Sequence, residues 1–251
     1  MNPPKQRIII GLRPVIEAID SGKEFEKIFV QNNLQGPLGK DLQHMLREHD
    51  IHFQYVPLEK LNRITMKNHQ GVIAYLSEIV YHKVENLLPQ VFENGKIPLF
   101  VMLDEITDVR NLGAIIRTAE CAGADAVIVP LKGSAQINEE TMKTSAGALN
   151  LLPVCREKSL ADTLNFLKSS GLQVVACTEK SDDVYNNVDL SLPTVFIMGS
   201  EGAGISTELL KLSDKQVRIP LLGKIDSLNV SVSTGIFLFE AVRQRMNTKG
   251  K

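Results

Sequence analysis

The chain has 251 residues, 43% hydrophobic and 23% charged, with a formal net charge of -1, a size at which about 70–75% of the unfolded surface is buried without covalent staples. Three widely spaced cysteines (Cys121, Cys155, Cys177) exclude a disulfide scaffold or four-cysteine zinc site, and near-neutral charge excludes an overall nucleic-acid footprint. No apolar run reaches the ~18 residues of a membrane span, and the apolar stretch in MNPPKQRIIIG is too short for a signal peptide, so a soluble cytoplasmic protein is expected.

In chain order, RIII before Gly11 reads as a strand, and Pro14 opens an amphipathic helix that ends at Gly22. KIFVQ (27–31) is a strand. Residues 36–50 place Leu38, Leu42, Met45 and Leu46 at helical spacing. HFQYVP, LEKLNRI and GVIAYLS follow as strand, short helix and strand. Residues 1–80 thus form a small α/β domain, and 81–96, with few signals, a linker with a short helix. PLFVMLD (98–104) is a near-continuous apolar run ending in Asp, as an interior parallel strand requires. A helix over 112–122, further strands at 126–130, 152–155, 171–178, 193–199 and 217–221, a helix from Ala161 to Gly171 and a closing helix over 229–247 complete the chain. An open parallel α/β sheet covered by helices is the expected fold of 97–251.

Three segments place small and polar residues at strand exits, where such sheets bind ligands. The first carries Asn111 and Arg117 near a helix start, which a cap and a surface arginine would also explain. The second, GSEGAG (199–204), permits a tight turn and close backbone approach, but is neither a dinucleotide fingerprint nor a phosphate loop. The third sets Ser227, Asn229, Ser231 and Ser233 against an apolar helix, which points to a lined pocket or a polar helix interface. Ser200 is no hydrolase nucleophile, because no histidine follows it in the chain. The five histidines (His44, His49, His52, His69, His82) lack metal-site spacing, the cysteines read as core, and the basic residues Arg243, Arg245, Lys249 and Lys251 as a solvated tail.

In this order the segments resemble the motifs of the TrmH/SpoU family of RNA 2'-O-ribose methyltransferases, within the SPOUT superfamily. Asn111-x-Gly113-x-x-x-Arg117-x-Ala119 is similar to the first motif, Gly199-x-Glu201-Gly202-x-Gly204 to the second, and Ile219-Pro220 through Ser227-Leu228-Asn229-Val230-Ser231 to the third. Gly11-x-x-x-Val15-x-Glu17-Ala18 and His69-Gln70-Gly71-Val72 resemble the family's RNA-binding domain, similar to the ribosomal protein L30e fold. The resemblance implies a C-terminal deep trefoil knot, which patterning alone does not reveal. It further implies a homodimer, S-adenosylmethionine as cofactor, no metal, and a ribose 2'-hydroxyl of RNA as methyl acceptor. Within the family the likeness favours enzymes acting on a guanosine of 23S rRNA. A tRNA guanosine, a catalytically silent RNA-binding or ribosome-assembly protein, and a small-molecule α/β enzyme are the alternatives.

By the same resemblance Thr178, Gly199, Gly202, Ile219, Leu221 and Leu228 hold the cofactor, and Arg13, His69 and Gln70 contact RNA. Arg117, Asn111, Glu201, Ser227 and Asn229 are catalytic. A guanidinium has no acceptor, so Arg117 is expected to clamp a phosphate or the developing oxyanion, with that phosphate or Glu201 assisting deprotonation. Asn111, Ser227 and Asn229 would orient the ribose or Arg117. Leu221-Leu222 stands where relatives often have Met after the proline, a change that keeps apolar volume.

Overall fold

The computed structural model describes residues 8–49 and 51–248. The chain divides into two compact units, one reaching Val80 and including Ile137–Glu139, the other made of Tyr81–Gln136 and the chain from Glu140 onward.

The first unit runs β1 (Ile8–Ile10), α1 (Leu12–Asp20), β2 (Phe25–Gln31), α2 (Pro37–Glu48), β3 (Gln54–Val56), α3 (Leu58–Ile64) and β4 (Val72–Leu76). Its sheet has the order β1-β4-β2-β3, with β2 and β3 parallel and the other pairs antiparallel. Leu12, Val15, Ala18 and Ile19 of α1 and Leu42 and Leu46 of α2 bury one sheet face. Leu61 of α3 packs with Phe29, Val56 and Ile73 on the other. Pro14 sits inside the first turn of α1, where a missing N–H costs no helical bond.

The second unit continues with β5 (Tyr81–His82), α4 (Val84–Glu93), β6 (Leu99–Asp104), α5 (Val109–Cys121), β7 (Ala126–Pro130), α6 (Glu139–Thr144) and β8 (Val154–Glu157). It ends with α7 (Leu160–Ser169), β9 (Gln173–Cys177), β10 (Thr194–Gly199), α8 (Thr207–Leu212), β11 (Lys215–Val217) and α9 (Val230–Thr248). The sheet order is β11-β9-β10-β6-β7-β8-β5, and every pairing is parallel. β6 lies at its centre with every residue buried, as its apolar run predicts. Alternate residues face opposite sides of a strand. Phe100, Met102, Val195 and Ile197 pack with Leu88 of α4, Leu164 of α7 and Leu209 of α8. Phe196 points the other way and meets Phe237 of α9 at 6.0 Å between ring centroids.

Four expectations change. Residues 81–96 are not a linker: β5 pairs with β8 as an edge strand, and α4 buries Val84, Leu88 and Val91 in the second unit's core. The last strand ends at Val217 rather than Leu221. Pro220 has no N–H for a ladder, and the Arg218 N–H donates instead to Asp183 O. Cys121 is exposed, whereas Cys155 is core and burial pushes its thiol up to about 12.

Arg243 and Arg245 are not a solvated tail either; Lys249 and Lys251 lie outside the described residues. Arg243 makes a two-pronged pair with Glu240. Arg245 donates to the carbonyls of Leu190, Ile97, Pro98 and Leu192 at 2.8–3.1 Å, fastening the end of α9 to the segment entering β6. Arg245→Lys keeps the charge but not the fork. We expect it to lower unfolding free energy by about 2 kcal/mol, through carbonyls left without donors. A denaturant midpoint unchanged from wild type would show that the fastening contributes nothing.

Candidate active site

The loops leaving β9, β10 and β11 converge at the carboxyl edge of the sheet around a cleft of about 260 Å³. Thr178, Gly199, Gly202, Ile219, Leu221 and Leu228 all line it, together with Ser227, Glu201, Ile205 and Phe237. The loop after β10 closes on itself. The Ser200 and Gly204 N–H groups each donate to the other's carbonyl, and Gly204 has φ +73°. A Cβ on Gly199 would strike the Gly204 carbonyl group and the Ile205 nitrogen, so a glycine is needed where the chain crosses itself. A Cβ on Gly202 would meet nothing within 4 Å. The buried Asp104 at the end of β6 secures the loop's exit, accepting from the Ser206 N–H at 2.7 Å.

A second cleft is lined by Glu105, Thr107, Asp108, Asn111 and Gly133, and shares Ser200, Glu201, Gly202 and Val230 with the first. Asp108, not Asn111, caps α5, accepting from the Arg110 and Asn111 N–H groups. The Asn111 side chain is thereby left for other partners. Its amide donates to Glu201 Oε1 at 3.1 Å. The amide of Asn229 donates to that same oxygen at 3.0 Å and to Asn111 Oδ1 at 2.9 Å. Asn229 Oδ1 in turn caps α9, accepting from the Ser231 N–H and hydroxyl. Three segments separated by 90 and 28 residues therefore meet at one carboxylate oxygen. Glu201 Oε2 has no hydrogen-bond partner among the described residues. Ser231 and Ser233 are accounted for by the helix start: the Ser233 hydroxyl donates to Asn229 O.

Arg117 stands apart from this cluster. It lies two turns along α5 from Asn111, is exposed, has no ion-pair or hydrogen-bond partner among the described residues, and lines neither cleft. In the first unit Arg13 is exposed. His69, expected on the RNA surface, is instead buried at 7% exposure. Its Nδ1 accepts from the Gly71 N–H and its Nε2 donates to Asn62 Oδ1, so both ring nitrogens hold the turn into β4. Gln70 Oε1 accepts from the Leu12 N–H and so caps α1. Glu105, with its backbone in the left-handed region at φ 56°, is a cleft residue that the motif reading missed. No group of three or more potential metal ligands occurs among the described residues.

Residues 98–239 match the SpoU rRNA Methylase family, and residues 8–81 match the RNA 2'-O ribose methyltransferase substrate binding family. YacO of Bacillus subtilis (strain 168), named for the TrmH family of tRNA/rRNA methyltransferases, is 32% identical over 94% of this chain and 95% of its own. An S-adenosylmethionine-bound rRNA methyltransferase from Sinorhizobium meliloti is similar in structure, with TM-score 0.60 and 30% identity over 94% of this chain and 86% of that one. A TrmH/SpoU tRNA modifying enzyme from A. aeolicus has TM-score 0.56 and 31% identity, covering 66% of this chain and 85% of that one. The parallel sheet and the preceding substrate-binding domain match the knotted SpoU architecture.

The two cleft glycines predict opposite outcomes. Gly199→Ala, which forces the crossing chain apart, should lower stability by about 3 kcal/mol or prevent folding. Gly202→Ala should leave the melting temperature within about 2 °C of wild type, a shift below ~1 kcal/mol, while weakening S-adenosylmethionine in calorimetric titration. Equal melting temperatures for the two variants would refute the crossing as the reason for Gly199.

Proposed function

The chain belongs to the SpoU rRNA Methylase family of S-adenosylmethionine-dependent RNA 2'-O-ribose methyltransferases, and from that premise we propose that its substrate is a guanosine of 23S rRNA. The observation that carries the reaction is the shared wall of the two clefts: Ser200, Glu201, Gly202 and Val230 border both. The rRNA reading is favoured by coverage, since the rRNA enzyme aligns with 94% of this chain and the tRNA enzyme with 66%. The first unit then holds RNA, with Arg13 as a contact and His69 and Gln70 as the residues that set its loops. A cytoplasmic setting suits an rRNA substrate and unpaired cysteines.

The first cleft suits the cofactor. The apolar side chains of Ile205, Leu228 and Phe237 offer a wall for the adenine, and the main chain at Thr178, Gly199, Gly202, Ile219 and Leu221 offers polar groups to its edges. When bound, S-adenosylmethionine supplies a methyl group already activated on a sulfonium sulfur. The protein's task is then alignment and removal of one proton. Asn111 and Asn229 fix Glu201 through Oε1, leaving Oε2 to accept the 2'-hydroxyl proton directly or through a substrate phosphate oxygen. Ser227, at the rim of the cofactor cleft, orients the ribose. Arg117 clamps the substrate phosphate or the developing oxyanion. Because it lines neither cleft of its own chain, it does so from a second copy.

A homodimer is further favoured by α9. Val232, Phe239 and Met246, each seven residues apart, are 51%, 49% and 71% exposed and form one apolar stripe. Phe239→Glu should convert a dimer to a monomer in light scattering with little loss of fold, and methylation should fall about 10²-fold or more with the missing second copy and its Arg117. An active monomer would overturn the shared-site reading.

Ribose-methylation mapping of total RNA with and without the gene tests the substrate. One guanosine of 23S rRNA should lose its methyl group, and a change confined to tRNA would displace this reading. For Arg117→Ala, single-turnover methylation at saturating cofactor should slow about 10²-fold or more, with Lys rescuing little. A rate within twofold of wild type would remove Arg117 from the mechanism.

A further inference from the structure

In the first unit, the sheet face on which α3 packs carries two lysines over one aromatic ring. Lys27 Nζ lies 5.0 Å and Lys60 Nζ 4.6 Å from the centroid of Phe29. Lys27 and Phe29 are two residues apart on β2 and so share a face. Lys60 comes from α3, and Tyr75 stands directly across the strand pair from Lys27, its ring edge-on to Phe29 at 6.1 Å. Neither lysine has an ion-pair or hydrogen-bond partner among the described residues. Arg63, one turn beyond Lys60 on α3, is exposed.

Two ammonium groups held on one ring repel each other. Burial, and then the Lys60 charge, hold the Lys27 ammonium below its usual value, and Glu26 opposes the shift. The ring recovers part of this cost, since a cation within about 6 Å of a centroid is attracted to the π face. A carboxylate between the lysines would recover more, and none is there among the described residues. Paired unneutralised cations beside a phenol are a receptor for an oxyanion. The Tyr75 phenol is a donor at neutral pH without any shift, and burial moves it further in that direction.

We propose that Lys27 and Lys60, with Tyr75 beside them, grip a backbone phosphate of the substrate RNA, making this sheet face the docking surface that holds the RNA while its target ribose is methylated. The anion is taken as RNA rather than lipid because residues 8–81 match a substrate-binding family, and the inference rests on the RNA-holding role given above to this unit. The near-neutral chain needs such local sites, for it has no overall positive field to draw RNA in.

The test uses the full chain and in-vitro transcribed 23S rRNA fragments carrying the mapped target. Lys27→Ala/Lys60→Ala should weaken RNA binding at least tenfold near 0.1 M salt. It should also flatten the slope of log affinity against log salt by about 0.7, the contribution of one neutralised phosphate of single-stranded RNA. KM for RNA should rise, while turnover at saturating RNA, cofactor affinity and melting temperature hold. Lys60→Arg should retain binding. Lys40→Ala, which removes one charge from α2 on the opposite sheet face, should change affinity less than twofold. A double variant indistinguishable from the Lys40 variant in affinity and salt slope overturns the proposal. So does normal RNA binding with lost binding to anionic phospholipid vesicles, which would assign the pair to a membrane surface. Wild-type protein that methylates none of these fragments removes the underlying reading, a result visible before any variant is made.

Discussion

Asn229 uses both ends of its carboxamide, and the geometry of the site depends on that division. Its oxygen is taken by the Ser231 N–H and hydroxyl at the start of α9, so its nitrogen must face Asn111 and Glu201. The helix cap thereby fixes which way the amide points, which an unanchored surface asparagine would leave free. The position of α9 becomes the position of the Asn111–Glu201–Asn229 cluster. That helix is held at its far end by Arg245 on four main-chain carbonyls and along its middle by Phe237 against Phe196. A hydrogen-bond network between residues 118 apart in sequence is thus positioned by ordinary helix packing.

Glycine supplies the complementary constraint on the main chain. At Gly199 the backbone of Gly204 and Ile205 passes where any side chain would sit, and at Gly113 a Cβ would run into Thr144 and come within 2.9 Å of the Thr141 carbonyl. These motif glycines serve the close passage of protein against protein. Gly202, open on its Cβ side and shared by both clefts, has no such reason within the chain. One motif therefore mixes a glycine that the fold needs with one whose Cβ side is open, and only the three-dimensional packing tells them apart.

Elements whose partners are periodic in sequence are legible from it. β6 announces its central place by an unbroken apolar run, and α1 and α2 by their spacing. β5 does not, because two residues carry no period and their partner, β8, lies more than 70 residues away. Arg245 reads as tail charge because its acceptors are carbonyls, which every residue has and no sequence displays. His69 sits in a motif that suggests an RNA contact, but its neighbours Asn62 and Gly71 take both ring nitrogens. The motif residues Asn111, Glu201 and Asn229 are identifiable in the sequence, but their sharing of one oxygen is not.

The two clefts are built from different materials, and this bears on how water is excluded. On the reading proposed above, the cofactor side sets the apolar side chains of Ile205, Leu228 and Phe237 around its cleft. On the same reading, the acceptor side is a set of half-buried and exposed polar side chains, where hydrogen bonds and charges act through a high effective dielectric. Preorganised groups stabilise a developing charge far better once water is gone. The apolar stripe of α9 begins at Val232, in the first turn after the Asn229 cap. A second copy covering that stripe would bring a low-dielectric wall within about 5 Å of the cap along the helix axis. On the dimer reading, the burial that stabilises the subunit pair is also the burial that strengthens the Asn111–Glu201–Asn229 cluster, so that assembly and catalytic competence share one surface.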